Sequence, residues 1–295
     1  MSKIELAADS ENIFEYHDEL YEKIGLAATP IELGDKKTLV ASWTKHRTLA
    51  PAQRQQLRRK HPKASVGLLA GTTLSNGNLF GFLDCDHSGF TEFFCRMVDS
   101  VSGKTGQKGI TIFCQFTGGT KSKKVRQKGA KAPVAELMVS SGMTVIPPSP
   151  HPSGVRYRCH GKSLHEVDPC TLPLLDEQRI EFLSKVCSNP SALTMVESGP
   201  DLKAHDLMLA LTSSGIAMLD LEWMAHCLNG LLPPGYGGNT AAETLGMLKS
   251  ARAKKLGQHT IRRIACLDGR WRMSMTLCCE RRRGGARTAS PCAER

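Results

Sequence analysis

The sequence lacks a long hydrophobic run, a signal-like start and a paired-cysteine motif. No stretch of its 295 residues approaches the ~18 consecutive apolar residues that cross a bilayer, so we expect no membrane span. The first residues, Met1-Ser2-Lys3-Ile4-Glu5, are mixed rather than signal-like. The eleven cysteines are odd in number and contain no CxxC pair, which is typical of small buried hydrophobes in a reducing compartment. We therefore expect a cytoplasmic protein that does not contact membranes.

Acidic residues are absent from residues 100–135, where eight lysines and arginines occur. These charges belong to a chain with a formal net charge of +11, which favours a polyanionic partner. Within this segment, residues 121–131 form either a solvated loop or a surface for the phosphates of a nucleotide or a template strand. The residues assigned to DNA under the second interpretation are Lys121, Lys123, Lys124 and Arg126.

Two carboxylates stand where the apolar run Leu79–Leu83 ends. Side chains alternate along a strand, so Asp84 and Asp86 are predicted to share one side while Cys85 points away. A third acid, Glu136, lies within a second apolar strand. Neighbouring carboxylates repel unless a cation lies between them, and Mg²⁺ or Mn²⁺ prefers such oxygen ligands. The sequence therefore predicts a metal site in which the three carboxyl groups converge within ~5–6 Å.

Other site types fit the sequence less well. Gly103-Lys104-Thr105 is no P-loop, because that motif needs a glycine where Val98 stands and must follow a strand rather than a helix. The commonest two-metal nuclease pattern needs a lysine where Met138 stands. A zinc site is an alternative use of four further residues, namely His151, Cys159, His160 and Cys170.

The pattern along the chain predicts three parts. Residues 1–187 form an α/β catalytic domain, residues 200–256 a small helical domain, and residues 257–295 a basic segment without folded structure, since the last sixteen residues carry five Arg against two Glu. In the first part, a hairpin over 133–148 is predicted to turn at Ser140-Ser141-Gly142. The helix over 51–61 is predicted to keep most of its basic side chains in solvent.

The ordered set of elements resembles one family, the primase–polymerase domain of phages, plasmids and mobile elements in the archaeo-eukaryotic primase superfamily. The resemblance covers roughly residues 20–175. Its marks are Thr29-Pro30-Ile31 with Lys36 and Trp43, then Val66–Gly71, Leu83–Asp86, Lys104–Phe113, Glu136–Met138, Ile146–Pro152 and Gly154 with Tyr157.

The resemblance implies an antiparallel sheet of RRM-like type with helices on one face. It also implies DNA primase and DNA polymerase activity, with a single-stranded DNA template and nucleoside triphosphates as partners, and it is compatible with a separate replicative helicase as a further partner. Asp84, Asp86 and Glu136 would bind Mg²⁺ or Mn²⁺ and act in catalysis. The residues expected to contact the nucleotide are Lys108, Thr111, Ser149 and His151.

One departure from the family pattern concerns the middle strand. The family places a histidine there that touches the phosphates of the incoming nucleotide, and this chain has Thr111. A threonine can offer only a neutral hydrogen bond, so Lys108 is expected to supply the missing charge. The alternative function is a replication-initiation or DNA-binding protein that keeps the fold with weak or no catalysis.

Overall fold

The fold was analysed in a computed structural model. It describes residues 12–127, 130–189, 192, 196, 220–231 and 240–253, and the backbone of 264–267 and 270–273. The six α-helices of these residues are α1 (Ile13–Lys23), α2 (Pro51–Lys60), α3 (Thr91–Val98), α4 (Glu177–Ser188), α5 (Leu221–Asn229) and α6 (Ala241–Ala253).

Thirteen strands alternate with these helices along the described residues. They are β1 (Ala28–Ile31), β2 (Ser65–Leu69), β3 (Thr72–Thr73), β4 (Leu79–Cys85), β5 (Ser102–Thr105), β6 (Ile110–Phe116), β7 (Lys123–Val125), β8 (Ala135–Met138), β9 (Met143–Val145), β10 (Arg158–Gly161), β11 (Leu174–Leu175), β12 (Ile264–Leu267) and β13 (Arg270–Met273).

The main sheet has the strand order β10-β5-β6-β4-β8-β7, with every neighbouring pair antiparallel. The short strands β3 and β11 add to β4 and β6. A small antiparallel sheet, β1-β2-β9, is separate. The mixed α/β class with antiparallel sheets is thus confirmed.

Two apolar clusters cover the opposite faces of the main sheet. On one face, Leu83 and Ile112 pack with residues of α3, α4 and α5. On the other, Phe82 and Phe113 pack with the small sheet and α1. Because side chains alternate along β4, Asp84 lies on the same face as Phe82, toward the small sheet.

The predicted hairpin over 133–148 is wrong. Its two strands, β8 and β9, belong to different sheets, since β8 pairs with β4 and β7 whereas β9 pairs with β2. Residues 139–142 carry the chain from one sheet to the other. The amides of residues 139–141 donate to the Ser122 hydroxyl, and the Gly142 carbonyl accepts from the Ala70 amide. Two strands separated by a short turn have the spacing of a hairpin. Their true partners, β4 and β2, are distant in sequence and leave no local signal.

The helical segment after the sheet shares its core. Met224 and Leu228 of α5 are fully buried in the cluster that contains Phe93 of α3. The described residues up to 253 belong to one compact unit. The described part of 200–256 therefore packs on α3 and shares the core on that side of the sheet, rather than forming a helical domain with its own core. In the segment 257–295, β12 and β13 form an antiparallel pair, and the other residues lie outside the described ones. No described helix is both long enough and apolar enough to span a bilayer.

Helix α1 buries polar side chains that the sequence does not mark as core. Its buried face is Phe14, His17, Asp18 and Tyr21, at helical spacing. The Asp18 carboxylate, fully buried, accepts hydrogen bonds from the guanidinium groups of Arg54 and Arg58 of α2 at 2.9 and 2.6 Å. The expectation that most of the basic side chains of this helix are in solvent holds for Arg59 and Lys60 alone. Arg54 and Arg58 are turned inward because Asp18 gives them a buried partner.

His17 makes stability depend on pH. Its ring is 4% exposed and neither nitrogen has a hydrogen-bond partner among the described residues, so burial, with help from nearby His165, lowers its pKa from 6.5 to about 4. The unfolded chain therefore takes up the proton first. Above about pH 6.5 His17 is neutral in both the folded and the unfolded chain, so it places no pH dependence on stability there. As the pH falls from 6.5 toward 4, protonation of His17 in the unfolded chain should reduce the free energy of unfolding by up to about 3 kcal/mol.

Urea unfolding at pH 7 and pH 4.5 tests this effect. A His17→Phe variant, which keeps the buried ring but cannot be protonated, should lose much less stability between the two pH values than the wild type. The same pH dependence in both proteins would show that another group is responsible.

Candidate active site

A single row of side chains crosses five strands of the main sheet. In strand register, Lys104 of β5 is opposite Thr111 of β6, and Thr111 is opposite Asp84 of β4. Asp84 is in turn opposite Glu136 of β8, which is opposite Lys124 of β7. Directly paired residues project to the same face. Two acids therefore lie between two lysines on the face toward the small sheet.

Asp84 is fixed by its neighbours in this row. The Thr111 hydroxyl donates a hydrogen bond to its carboxylate at 2.5 Å. Burial raises the pKa of Asp84 above the ordinary range, and the charge of Asp86 adds to this rise; the Thr111 hydrogen bond and the charge of Lys104 oppose it. Thr111, 3% exposed, is thus an orienting group for Asp84, whereas its predicted contact with the nucleotide stays a prediction.

Asp86 and Glu136 complete the acidic group in different ways. Asp86 follows the last residue of β4 and is exposed. The Glu136 carboxylate forms an ion pair with Lys124 at 2.9 Å. In the described part of the chain, no group of three histidine, cysteine, aspartate or glutamate side chains lies close enough together to hold a metal ion. This holds for the three acids and also for the alternative zinc set. The expected convergence of three carboxyl groups is therefore not seen in this arrangement.

The chemistry of the acids nevertheless suits a divalent ion. All their donors are carboxylate oxygens, Asp84 and Glu136 are direct cross-strand neighbours, and the charge of Asp86 acts on Asp84. Such like charges are stabilised by a hard cation. The residues fit Mg²⁺ or Mn²⁺ in donor type, with Lys124 as the group that Glu136 contacts in this structure.

The turn before β6 lies against the end of β4. Gly109 has φ +58°, and a Cβ there would lie 1.8 Å from the Cys85 carbonyl oxygen and 2.9 Å from Cα of Asp86. The turn therefore lies directly against the chain that carries Asp86. Lys108, next in the turn, is exposed, which leaves its ammonium accessible to a phosphate.

Two predicted nucleotide contacts on the segment after β9 differ from each other. Ser149 is fully buried and its hydroxyl accepts the Val66 amide at 2.9 Å, so it fastens the turn to β2. His151 packs against Tyr157 with ring centroids 5.1 Å apart. Partial burial and the charges of Lys36 and Lys104 lower the pKa of His151. His151, but not the Ser149 hydroxyl, is therefore placed to meet a ligand.

Sequence reasoning missed Lys104 and Lys36 as site residues. Lys104 is 7% exposed, and burial lowers its pKa to about 8, while Asp84 raises it and Lys36 lowers it further. The strand that carries it, β5, has short polar residues and no alternating apolar pattern, so its register was not visible. The signal that could have found Lys36 is its place among the family marks.

The basic residues predicted to bind DNA lie on both faces of the main sheet. Lys124 is in the row with Glu136, whereas Lys123 pairs with Leu137 in the alternate register and acts electrostatically on Glu181 of α4. Arg126 donates to the Lys131 carbonyl at 3.3 Å, and Lys121 is exposed. The four basic residues therefore do not form a single surface, because the consecutive residues Lys123 and Lys124 of β7 face opposite sides of the sheet.

The contact of Gly109 with the acid-bearing strand can be tested by a pair of glycine variants. Gly77 also has a positive φ, of +84°, but a Cβ there would meet nothing within 4 Å. We expect Gly77→Ala to lower the free energy of unfolding by about 1 kcal/mol through backbone strain alone. Gly109→Ala should lower it by about 3 kcal/mol, because the clash with Cys85 adds to the same strain. Equal losses in urea unfolding would contradict the close approach.

Comparison with known proteins accords with this geometry. No curated protein shows significant similarity to the chain. The family model described as bifunctional DNA primase/polymerase, N-terminal, matches residues 18–174, which is just over half of the chain. The matched region includes β4, β6 and β8 with Asp84, Thr111 and Glu136. The chain belongs to the bifunctional DNA primase/polymerase N-terminal family.

Proposed function

We propose that this protein is a metal-dependent DNA primase and DNA polymerase that joins nucleoside triphosphates on a single-stranded DNA template. The observation that carries the proposal is the cross-strand pair of Asp84 and Glu136, with Asp86 two residues beyond Asp84. Family membership supports nucleotidyl transfer of this general type. Replication of a phage, plasmid or mobile element, with a separate helicase, is the setting that the resemblance to that family favours.

In this proposal the three acids hold one or two divalent ions. When bound, the ions would activate the attacking 3′-hydroxyl and neutralise charge on the leaving pyrophosphate. Thr111 holds the Asp84 carboxylate in one orientation through its hydrogen bond. Glu136, which contacts Lys124 in this structure, would be a ligand of the metal, and Lys124 would then be available to a phosphate of the template or primer.

A nucleotide-incorporation assay tests the proposal. Purified protein, a single-stranded template, labelled nucleotides and Mg²⁺ or Mn²⁺ should yield primers or extended products. Asp84→Asn and Glu136→Gln remove one negative charge each with little change in shape, and should reduce product at least a hundredfold. The matched control is Glu181→Gln, on the solvent side of α4, which should retain wild-type product.

The second candidate, a DNA-binding protein with little catalysis, is favoured by one observation. Thr111 replaces the family's histidine, and its hydroxyl is engaged with Asp84. Metal-dependent incorporation separates the two functions, since both proteins would bind DNA. This candidate would be supported if the wild type bound the template but, like Asp84→Asn and Glu136→Gln, formed no product with either metal.

The path of the DNA can be tested with two consecutive lysines. If the strand passes over the acidic face, Lys124→Ala should reduce the log–log salt slope of single-stranded DNA binding by about 0.7, the value for one lost phosphate contact. Lys123→Ala should leave the slope unchanged, because this residue lies on the opposite face. Equal effects of both variants in fluorescence anisotropy titrations would indicate a flexible basic segment instead of a path on one face.

A further inference from the structure

Lys104 is a buried cation whose charge interacts with that of Asp84 across the sheet but which forms no ion pair with a carboxylate. It is 7% exposed, and no carboxylate lies within ion-pair distance of its ammonium in the described residues. A buried charge that lacks a partner destabilises the fold. The position in the row, next to Thr111 and one strand further from Asp84, places this charge beside the acids. A negatively charged ligand would supply the missing partner.

An aromatic ring fixes where the ammonium lies. Nζ of Lys104 is 4.1 Å from the ring centroid of Tyr157, which is a cation–π distance. Tyr157 is itself 5% exposed, and its ring packs against both the His151 ring and Gly106, where a Cβ would lie 3.0 Å from the tyrosine ring. The ring therefore has little freedom, and the lysine that lies over it is held in place.

Other basic groups act on the same point. The charges of Lys36 and Lys104 each lower the pKa of His151, and Lys36 also lowers that of Lys104. Groups on three segments, the turn after β1, strand β5 and the segment after β9, thus produce a positive potential beside the acidic pair. A divalent ion on the acids and a polyphosphate on these bases are complementary neighbours.

We propose that Lys104, held against Tyr157, binds the triphosphate of the incoming nucleotide in the place of the histidine that the family carries at the position of Thr111. The positive charge has moved to the neighbouring strand of the same cross-strand row. Lys36 and His151 lie beside it and extend the phosphate site. The proposal rests on the function proposed above, because it names the group that binds the substrate of that reaction.

Nucleotide binding without turnover gives the direct test. Calorimetric titration of the wild type and Lys104→Met with dGTP in the presence of Ca²⁺ measures the dissociation constant apart from catalysis. Methionine has a similar length and no charge, and we expect the dissociation constant to rise about tenfold or more, as for the loss of one charge-assisted contact. Binding of dGMP should change less than threefold, because it lacks the β- and γ-phosphates.

The role of the tyrosine ring provides a second, independent variant pair. Tyr157→Phe keeps the ring under the ammonium and should bind dGTP like the wild type, whereas Tyr157→Leu removes the ring and should weaken binding in the direction of Lys104→Met. Lys185→Met, on the exposed part of α4, is the charge-matched control and should not change binding. Thermal unfolding of each variant identifies any that do not fold. If Lys104→Met is among them, Lys104→Gln replaces it, with the same expected loss of dGTP affinity, and unchanged affinity would contradict the assignment.

The outcomes separate this inference from the proposed function. If the wild type incorporates nucleotides and Lys104→Met binds dGTP as tightly as the wild type, the assignment of Lys104 is overturned and the function stands. If Lys104→Met weakens dGTP and dGMP equally, the residue contacts the base, the sugar or the α-phosphate, and the assignment to the β- and γ-phosphates is overturned. If the wild type neither binds dGTP nor incorporates nucleotides, the function itself fails, and the assignment of Lys104 fails with it.

Discussion

The pairing of β4 with β6 on one side and β8 on the other is the constraint on which the site depends. Strand register places Asp84 between Thr111 and Glu136, three residues separated by 25 or more positions in the sequence. A shift of one residue in either pairing would turn Thr111 or Glu136 to the helix-covered face. The large side chains beside them, Phe82 and Phe113, resist such a shift because they are buried against the small sheet.

The charges of the row extend this geometry into electrostatics. Lysines stand at its two ends and acids in its centre, so the surface offers sites of both signs within one line of strands. The two lysines differ in surroundings: Lys124 is more than half exposed and paired with Glu136, whereas Lys104 is buried over a tyrosine ring. An exposed pair exchanges partners easily, and a buried cation keeps its place. The first property suits a mobile polymer and the second a bound substrate.

The sequence predicted the parts of the site that local patterns determine. In β4 and β8 a single acid stands among apolar residues, and this alternation is visible in the sequence. It was enough to predict the face of each strand on which Asp84 and Glu136 lie. The partners of these strands were less accessible, because pairing depends on contacts distant in sequence. For this reason β8 and β9 were taken for a hairpin, and β5, which carries Lys104, was not predicted as a strand. The buried Asp18 was missed for a related cause: its partner Arg54 is 36 positions away.

The segment 139–142 has a consequence for motion. It joins β8, which carries Glu136, to β9, which belongs to the small sheet, and its amides are held by Ser122. Four residues in contact with both sheets leave almost no slack. The small sheet therefore cannot swing away from the main sheet as an independent lid, since any displacement would pull on the strand that bears Glu136. Opening of the proposed site must come from side chains and from the turns around it, with the two sheets moving as one body.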